Sequence, residues 1–293
     1  MNTVSTLANP THKAIREDFL DKGYALFSEV ISQERVKEIR EFLTNEFNEQ
    51  YPVENYNEAN IIFDHLVKYP NLRDTIANEK IINSLKILLG DELVLMPPAS
   101  CIRNSFWNLH TDVTTMTSQG YPVSQRPDFT GVAIAIYLQD NDEQGGGMFV
   151  VPETHKLEKD PLVNQKLWQK GINIPFGHKI LRALTGNRYP NYDDFSKYEI
   201  GGIDIPSKAG DMLVLDMRLL HRGSQVQPGV KKTRTKLGIF TTATAPGEGN
   251  YLDYWMEYLM SDHDHPFQYL KNERNTEPVK QTLKEAGFSA VYH

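Results

Sequence analysis

Cysteine is almost absent from this chain of 293 residues: Cys101 stands alone, which excludes an internal disulfide framework. No apolar run approaches the roughly 18 residues that a membrane-spanning helix needs. Surplus positive charge is missing as well. With 31 basic against 38 acidic residues the net charge is −7, which argues against a chain built to grip a phosphate backbone. The opening MNTVSTLANPTHK lacks the basic start and apolar centre of a secretory signal. These absences predict a protein of the reducing cytoplasm that neither enters a membrane nor binds nucleic acid. What is present is ordinary for a globular fold, 40% hydrophobic and 24% charged residues, and the length suffices to bury a full core in one domain.

Residues 13 to 91 are expected to be mainly helical. Ile15, Phe19 and Leu20 recur at helical spacing, GYALFSEV reads as a short strand, and Ser32 is placed to cap a helix carrying Val36, Ile39, Phe42, Leu43 and Phe47. A turn-rich loop covers 51 to 60, and a further helix from Leu72 to Leu89 ends at Gly90. From residue 92 to 245 short strands take over: LVLMP, SCIRNSFW, GVAIAIYLQ, GMFVVP, MLVLDM and KLGIFTTATA. Helices followed by many short strands predict a mainly β chain with α, its core a double-stranded β-helix (jelly roll, cupin-like) buttressed by the N-terminal helices. Residues 157 to 203 interrupt the strands with an aromatic-rich stretch that reads as a lid. Its rings either line a substrate pocket or pack against the barrel. Residues 246 to 293 form a tail, helical in parts, and residues 1 to 293 read as a single catalytic domain.

One His-x-Asp occurs at His110-Thr111-Asp112. With 9 histidines and 38 acidic residues in the chain, roughly one His-x-acid match arises by chance, so the motif needs context. A strand sends residues i and i+2 to one face, so this pair can reach one metal from a strand and its exit. A second histidine, His221, closes IPSKAGDMLVLDMRLLHRGS, read as a turn at Ala209-Gly210-Asp211, an apolar strand, and a histidine at the strand's end. Two histidines and a carboxylate on one face of a metal leave three positions open, the arrangement of ferrous oxygenases. Arg234 opens the next strand, and its planar guanidinium is the bidentate donor that the far carboxylate of 2-oxoglutarate asks for. The segment SDHDHP, with His263 and His265, reads as a solvated turn between tail helices rather than a second metal site. Gly145-Gly146-Gly147 lacks the setting of a phosphate loop and reads as backbone geometry before a strand.

Four landmarks, in order and at similar spacing, resemble the phytanoyl-CoA dioxygenase family of Fe(II)/2-oxoglutarate oxygenases. They are FLDKGYALFSEVISQERVKEIREF, WNLHTD, AIAIYLQDNDEQGGGMFVVPETHK, and AGDMLVLDMRLLHRGS with Arg234, together spanning residues 19 to 240. The resemblance implies iron held by His110, Asp112 and His221, and Arg234 on the distal carboxylate of 2-oxoglutarate. It adds Ser224 as an assistant, and Arg103 or Asn104, on the strand before the metal motif, as a polar contact to the cosubstrate. His155 falls in an element that is a structural turn in that family and is not a ligand. Two departures stand out. Arg222 is inserted where the family reads His-Gly-Ser, and Arg234 lies slightly further from the histidine than usual, so Lys232 competes for the clamp. The implied reaction consumes O2, converts 2-oxoglutarate to succinate and CO2, and hydroxylates a C–H bond of a small organic molecule; desaturation or cyclisation by the same chemistry is the alternative. Asp112 retains the carboxylate that halogenating relatives replace by a small residue. From other classes, the rivals are a cupin-like metal enzyme that dispenses with 2-oxoglutarate and a binding domain that merely keeps the fold.

Overall fold

The computed structural model describes residues 11–51, 60–104, 109–113, 129–141, 147–156, 201–223, 236–246, 270 and 272–290. Helix α1 (His12–Lys22) starts where the Thr11 hydroxyl accepts the Ala14 N–H and stops at Gly23, whose φ of 84° suits glycine. Strand β1 (Tyr24–Phe27) leads to α2 (Gln33–Gln50). The Ser32 hydroxyl caps α2 by accepting the Arg35 N–H at 3.2 Å, and Val36, Ile39, Leu43 and Phe47 are buried along one stripe. Strand β2 (Asn60–Phe63) begins at the last residue of the stretch read as a loop, and a single turn, α3 (His65–Lys68), follows it. The helix expected from Leu72 to Leu89 is two helices, α4 (Pro70–Ile76) and α5 (Glu79–Leu89). Asn78 adopts extended backbone between them and caps the second by accepting the Lys80 N–H.

The strands form two sheets. Strands β3 (Leu93–Arg103), β4 (Val132–Tyr137), β7 (Met212–Asp216) and β9 (Leu237–Thr244) build the larger one with β1, β2 and β10 (Phe288–Ala290), in the order β1-β7-β4-β9-β3-β10, with β2 also on β3. Strands β5 (Met148–Val151), β6 (Ile203–Ile205) and β8 (Leu220–Gly223) build the smaller, in the order β6-β5-β8. All these pairings are antiparallel except β10 with β3. LVLMP and the opening SCIR of SCIRNSFW, read as separate strands, belong to the single β3, which carries a register shift between Leu95 and Ala99. The segment read as one strand ending at His221 is two. The Asp216 carboxylate accepts the Arg218 N–H and pairs with its guanidinium, and Leu219 N–H closes the turn on Asp216 O at 2.8 Å. The chain thereby leaves β7 in the large sheet and enters β8 in the small one.

In the tail, α6 (Glu277–Glu285) buries Val279 and Leu283, and β10 lies parallel to the start of β3. Residues 157–200 of the expected lid, and the part of the tail around YLDYWMEYLM, lie outside the described residues.

Side-chain alternation gives the large sheet two different faces. Leu95, Cys101, Ile134, Ile136, Val214, Leu237 and Ile239 pack with residues of α2 and α5 in the main core. Ala135, Tyr137, Leu213 and Leu215, on the opposite face, meet Met148, Val150 and Ile205 of the small sheet. This second cluster fills the space between the sheets, the interior of the barrel.

Candidate metal centre

His110 lies outside the named strands but joins β8 through an isolated antiparallel bridge with His221, each main-chain N–H donating to the other's carbonyl at 2.9 Å. Two residues on, the Asp112 N–H donates to Met217 O at 2.9 Å, in the turn between β7 and β8. The His-x-Asp is therefore pinned at both ends to the crossing between the sheets. Asp112 Oδ1 lies 3.8 Å from Nε2 of His110 and 3.8 Å from Nε2 of His221. The two imidazoles are 4.4 Å apart between centroids, inclined at 52°, and one donor atom from each of the three residues falls within 4.8 Å of the others.

These residues fit a transition-metal ion. At bonds of about 2.1 Å, two donors on one ion stand at most about 4.2 Å apart, and both carboxylate-to-imidazole separations lie inside that limit. His221 Nδ1 is 2.9 Å from Leu219 O; donation there leaves the Nε2 lone pair directed at the cluster. Asp112 Oδ2 is buried with no hydrogen-bond partner among the described residues, a costly state for a carboxylate oxygen unless a cation serves it.

Two of the other expected site residues sit at the end of β3 and part company there. Arg103, expected as a polar contact to the cosubstrate, turns to the helical layer. Its guanidinium donates to Asn48 Oδ1, Asn60 Oδ1 and Tyr51 O and stacks over Phe47 of α2. The pairing of Arg103 with Leu237, a core residue, puts both on the helical side of the sheet. Asn104, one residue later and with a φ of 59°, turns to the barrel side, where its Oδ1 accepts the Lys236 N–H. Lys236 escaped the sequence reading; it is buried, and its ammonium donates to Gly147 O at 3.0 Å. A Cβ on Gly147 would approach Asn141 Cβ and Ile205 O at 3.0 Å, so the residue before β5 serves close packing. His155 Nε2 lies 3.0 Å from Leu20 O, in the turn after β5 and apart from the triad. Ser224, Lys232, Arg234, His263 and His265 lie outside the described residues.

Antiparallel double sheets around a two-histidine, one-carboxylate cluster define a non-haem iron oxygenase of the 2-oxoglutarate-dependent class. The chain belongs to the phytanoyl-CoA dioxygenase family, whose model matches residues 19–229. No curated protein sequence matches it. Solved structures share the fold at low identity. The carbocyclase SnoK from nogalamycin biosynthesis is 15% identical at a TM-score of 0.55, over 81% of this chain and 85% of that one. The epimerase SnoN, in complex with Fe3+, alpha ketoglutarate and nogalamycin RO, is 15% identical at 0.52, over 80% and 83%. EctD from S. alaskensis, with 2-oxoglutarate and 5-hydroxyectoine, is 14% identical at 0.51, over 81% and 78%. Among the described residues no helix is long and apolar enough to cross a membrane.

Proposed function

We propose that the chain uses iron and 2-oxoglutarate to hydroxylate a C–H bond of a small organic molecule, with His110, Asp112 and His221 as the iron ligands. The observation that carries this reading is the cluster itself: two imidazoles joined by reciprocal main-chain bonds, and a carboxylate 3.8 Å from each. Bound iron and 2-oxoglutarate would supply the oxidising power, the keto acid ending as succinate and CO2. The chain's own contribution is placement and the exclusion of water. Leu219 O holds the His221 ring in orientation, and the apolar walls of Val150, Leu213 and Leu215 keep bulk water from the barrel. Asp112 fills a coordination position that a small residue would leave to an external anion, which favours oxygen insertion over halogenation. By the family pattern, Arg234 and Ser224 hold the cosubstrate.

Adding ferrous iron and 2-oxoglutarate without oxygen is expected to raise a weak visible absorption band. Asp112→Ala and His221→Ala are expected to abolish both the band and succinate formation, and undiminished succinate formation in either variant would sink the ligand assignment. A second reading draws on the solved proteins of this fold, which include an epimerase and a carbocyclase. Product mass decides between them: one oxygen gained for hydroxylation, no change for epimerisation, two hydrogens lost for ring closure.

A further inference from the structure

Strand β7 ends at Asp216 and β8 begins at Leu220, and the three residues between them carry the chain from the large sheet to the small one. The entry to this turn is fixed from two sides. Asp216 pairs with Val132 of β4 while its N–H donates to Gly23 O at the end of α1, and the Met217 N–H donates to Gly131 O at 3.1 Å. The Leu219 N–H closes the turn on Asp216 O at 2.8 Å. What these anchors leave open is the tilt of the peptide groups inside it.

Two of those peptides serve the triad, and each is gripped at its other end by a side chain. The Met217 carbonyl accepts the Asp112 N–H at 2.9 Å, and the N–H of the same peptide, on Arg218, donates to Asp216 Oδ1 at 2.9 Å. The Leu219 carbonyl lies 2.9 Å from His221 Nδ1, and the N–H of that peptide, on Leu220, donates to the Thr154 hydroxyl at 2.9 Å. A trans peptide is planar with N–H and C=O on opposite sides, so a hold on one end aims the other.

Both gripping side chains are themselves held. The Arg218 guanidinium donates to both oxygens of the Asp216 carboxylate and lies 4.6 Å above the Phe129 ring. Thr154 is buried in the turn after β5, and its hydroxyl donates to Val151 O at 2.8 Å. Neither residue belongs to the cluster of metal donors. Leu215 faces the barrel and Val214 the helices, so alternation puts the Asp216 side chain on the helical face of the sheet.

We propose that Asp216 and Thr154 are positioning residues for the metal centre, each aiming a carbonyl that fixes one ligand: Asp112 by its main chain, His221 by its ring. This rests on the reading of His110, Asp112 and His221 as metal ligands. Loss of either grip frees a peptide plane to tilt, which spreads the ligand positions without removing a donor.

Cobalt(II), which takes the same nitrogen and oxygen donors, is titrated alone into the protein, reading its dissociation constant and its visible ligand-field bands, beside urea unfolding of the metal-free protein. Thr154→Val is expected to weaken binding about 10- to 100-fold and to shift the bands, and Thr154→Ser, which keeps the hydroxyl, to restore both. Asp216→Asn gives up the charge but keeps an oxygen for the Arg218 N–H, and is expected to bind within a few-fold of the unaltered protein. Asp216→Glu keeps the charge but carries its oxygens one methylene further out, and is expected to bind about tenfold more weakly or worse. The control is Asp211→Ala at the start of β7, which removes a buried carboxylate that accepts the Glu29 and Lys208 N–H groups. It is expected to lose stability and keep its cobalt affinity. Unchanged affinity in Thr154→Val or Asp216→Glu overturns the role given to that residue. Tighter binding by Asp216→Glu than by Asp216→Asn makes charge the cause and overturns the positioning role of Asp216. Equal weakening in Asp211→Ala reduces the effect to general loosening and overturns both roles. An unaltered protein that takes up no cobalt overturns the ligand assignment itself, and this inference with it.

Discussion

Arg103 and Lys236 occupy adjoining rungs of the β3–β9 ladder, both buried, one on each face of the same sheet. Arg103 faces the helices, where its donors meet two asparagine oxygens and a carbonyl and its plane rests on Phe47. Such a cation is part of the scaffold: its hydrogen bonds tie α2 and β2 to the sheet, and its donors are spent on the protein itself. Lys236 faces the barrel, where an amine on a flexible stem beside a phenol and a carbonyl keeps the capacity to change its charge. The two faces of one sheet thus bury two different cations, one hydrogen-bonded into the helical layer and the other inside the barrel.

The sharpest way to break this division is Arg103→Ala. It leaves Asn48, Asn60 and Tyr51 O without their donor and is expected to cost about 3–5 kcal/mol in urea unfolding. Anaerobic 2-oxoglutarate affinity per folded molecule is expected to stay unchanged, and a fall of more than a few-fold would show that the faces are coupled. Lys236→Met is expected to act in the opposite sense. Folded Lys236 loses its proton near pH 7, well below the ordinary lysine value of 10.5, so between those values the unfolded chain binds the extra proton and stability rises with pH. Without ligand, the unaltered protein is expected to gain on Lys236→Met by about 1.4 kcal/mol per pH unit from pH 7 to pH 10, with no slope below pH 7. Equal slopes for the two proteins would place the lysine charge outside the barrel. The smallest change is expected from Tyr137→Phe. It removes a buried hydroxyl without a described partner and is expected to shift stability by under about 1 kcal/mol, in either direction.

The sequence made the helical buttress legible because its signals are local. Ser32, the apolar stripe of α2 and the stop at Gly90 each act within a turn or two of chain. The triad was legible from two motifs whose flanking strands carried clear apolar patterns. The turn that splits the strand before His221 was not, since it depends on the Asp216 carboxylate folding back onto Arg218 inside an otherwise apolar run. Strand β10 was missed because three residues carry no period of their own and are held by β3. Arg103 and Asn104 looked equivalent as polar residues at one strand's end; the difference between them is parity, which the register with β9 decides. Lys236 was passed over for a related reason. Lys236, Gly238 and Phe240 alternate with apolar Leu237 and Ile239, a pattern that reads as a half-buried strand with its lysine in solvent. That its second face is also covered follows only from the small sheet, built from segments as much as about 90 residues away in sequence.

The paired main-chain bonds between His110 and His221 bring two imidazoles side by side through the backbone alone. An ion that binds only this gathered set stabilises the folded state by about 1.4 kcal/mol for each tenfold excess over its dissociation constant. Melting temperature then becomes a gauge of free metal, and chain made under metal starvation would be cleared by proteases sooner than chain that has found its ion.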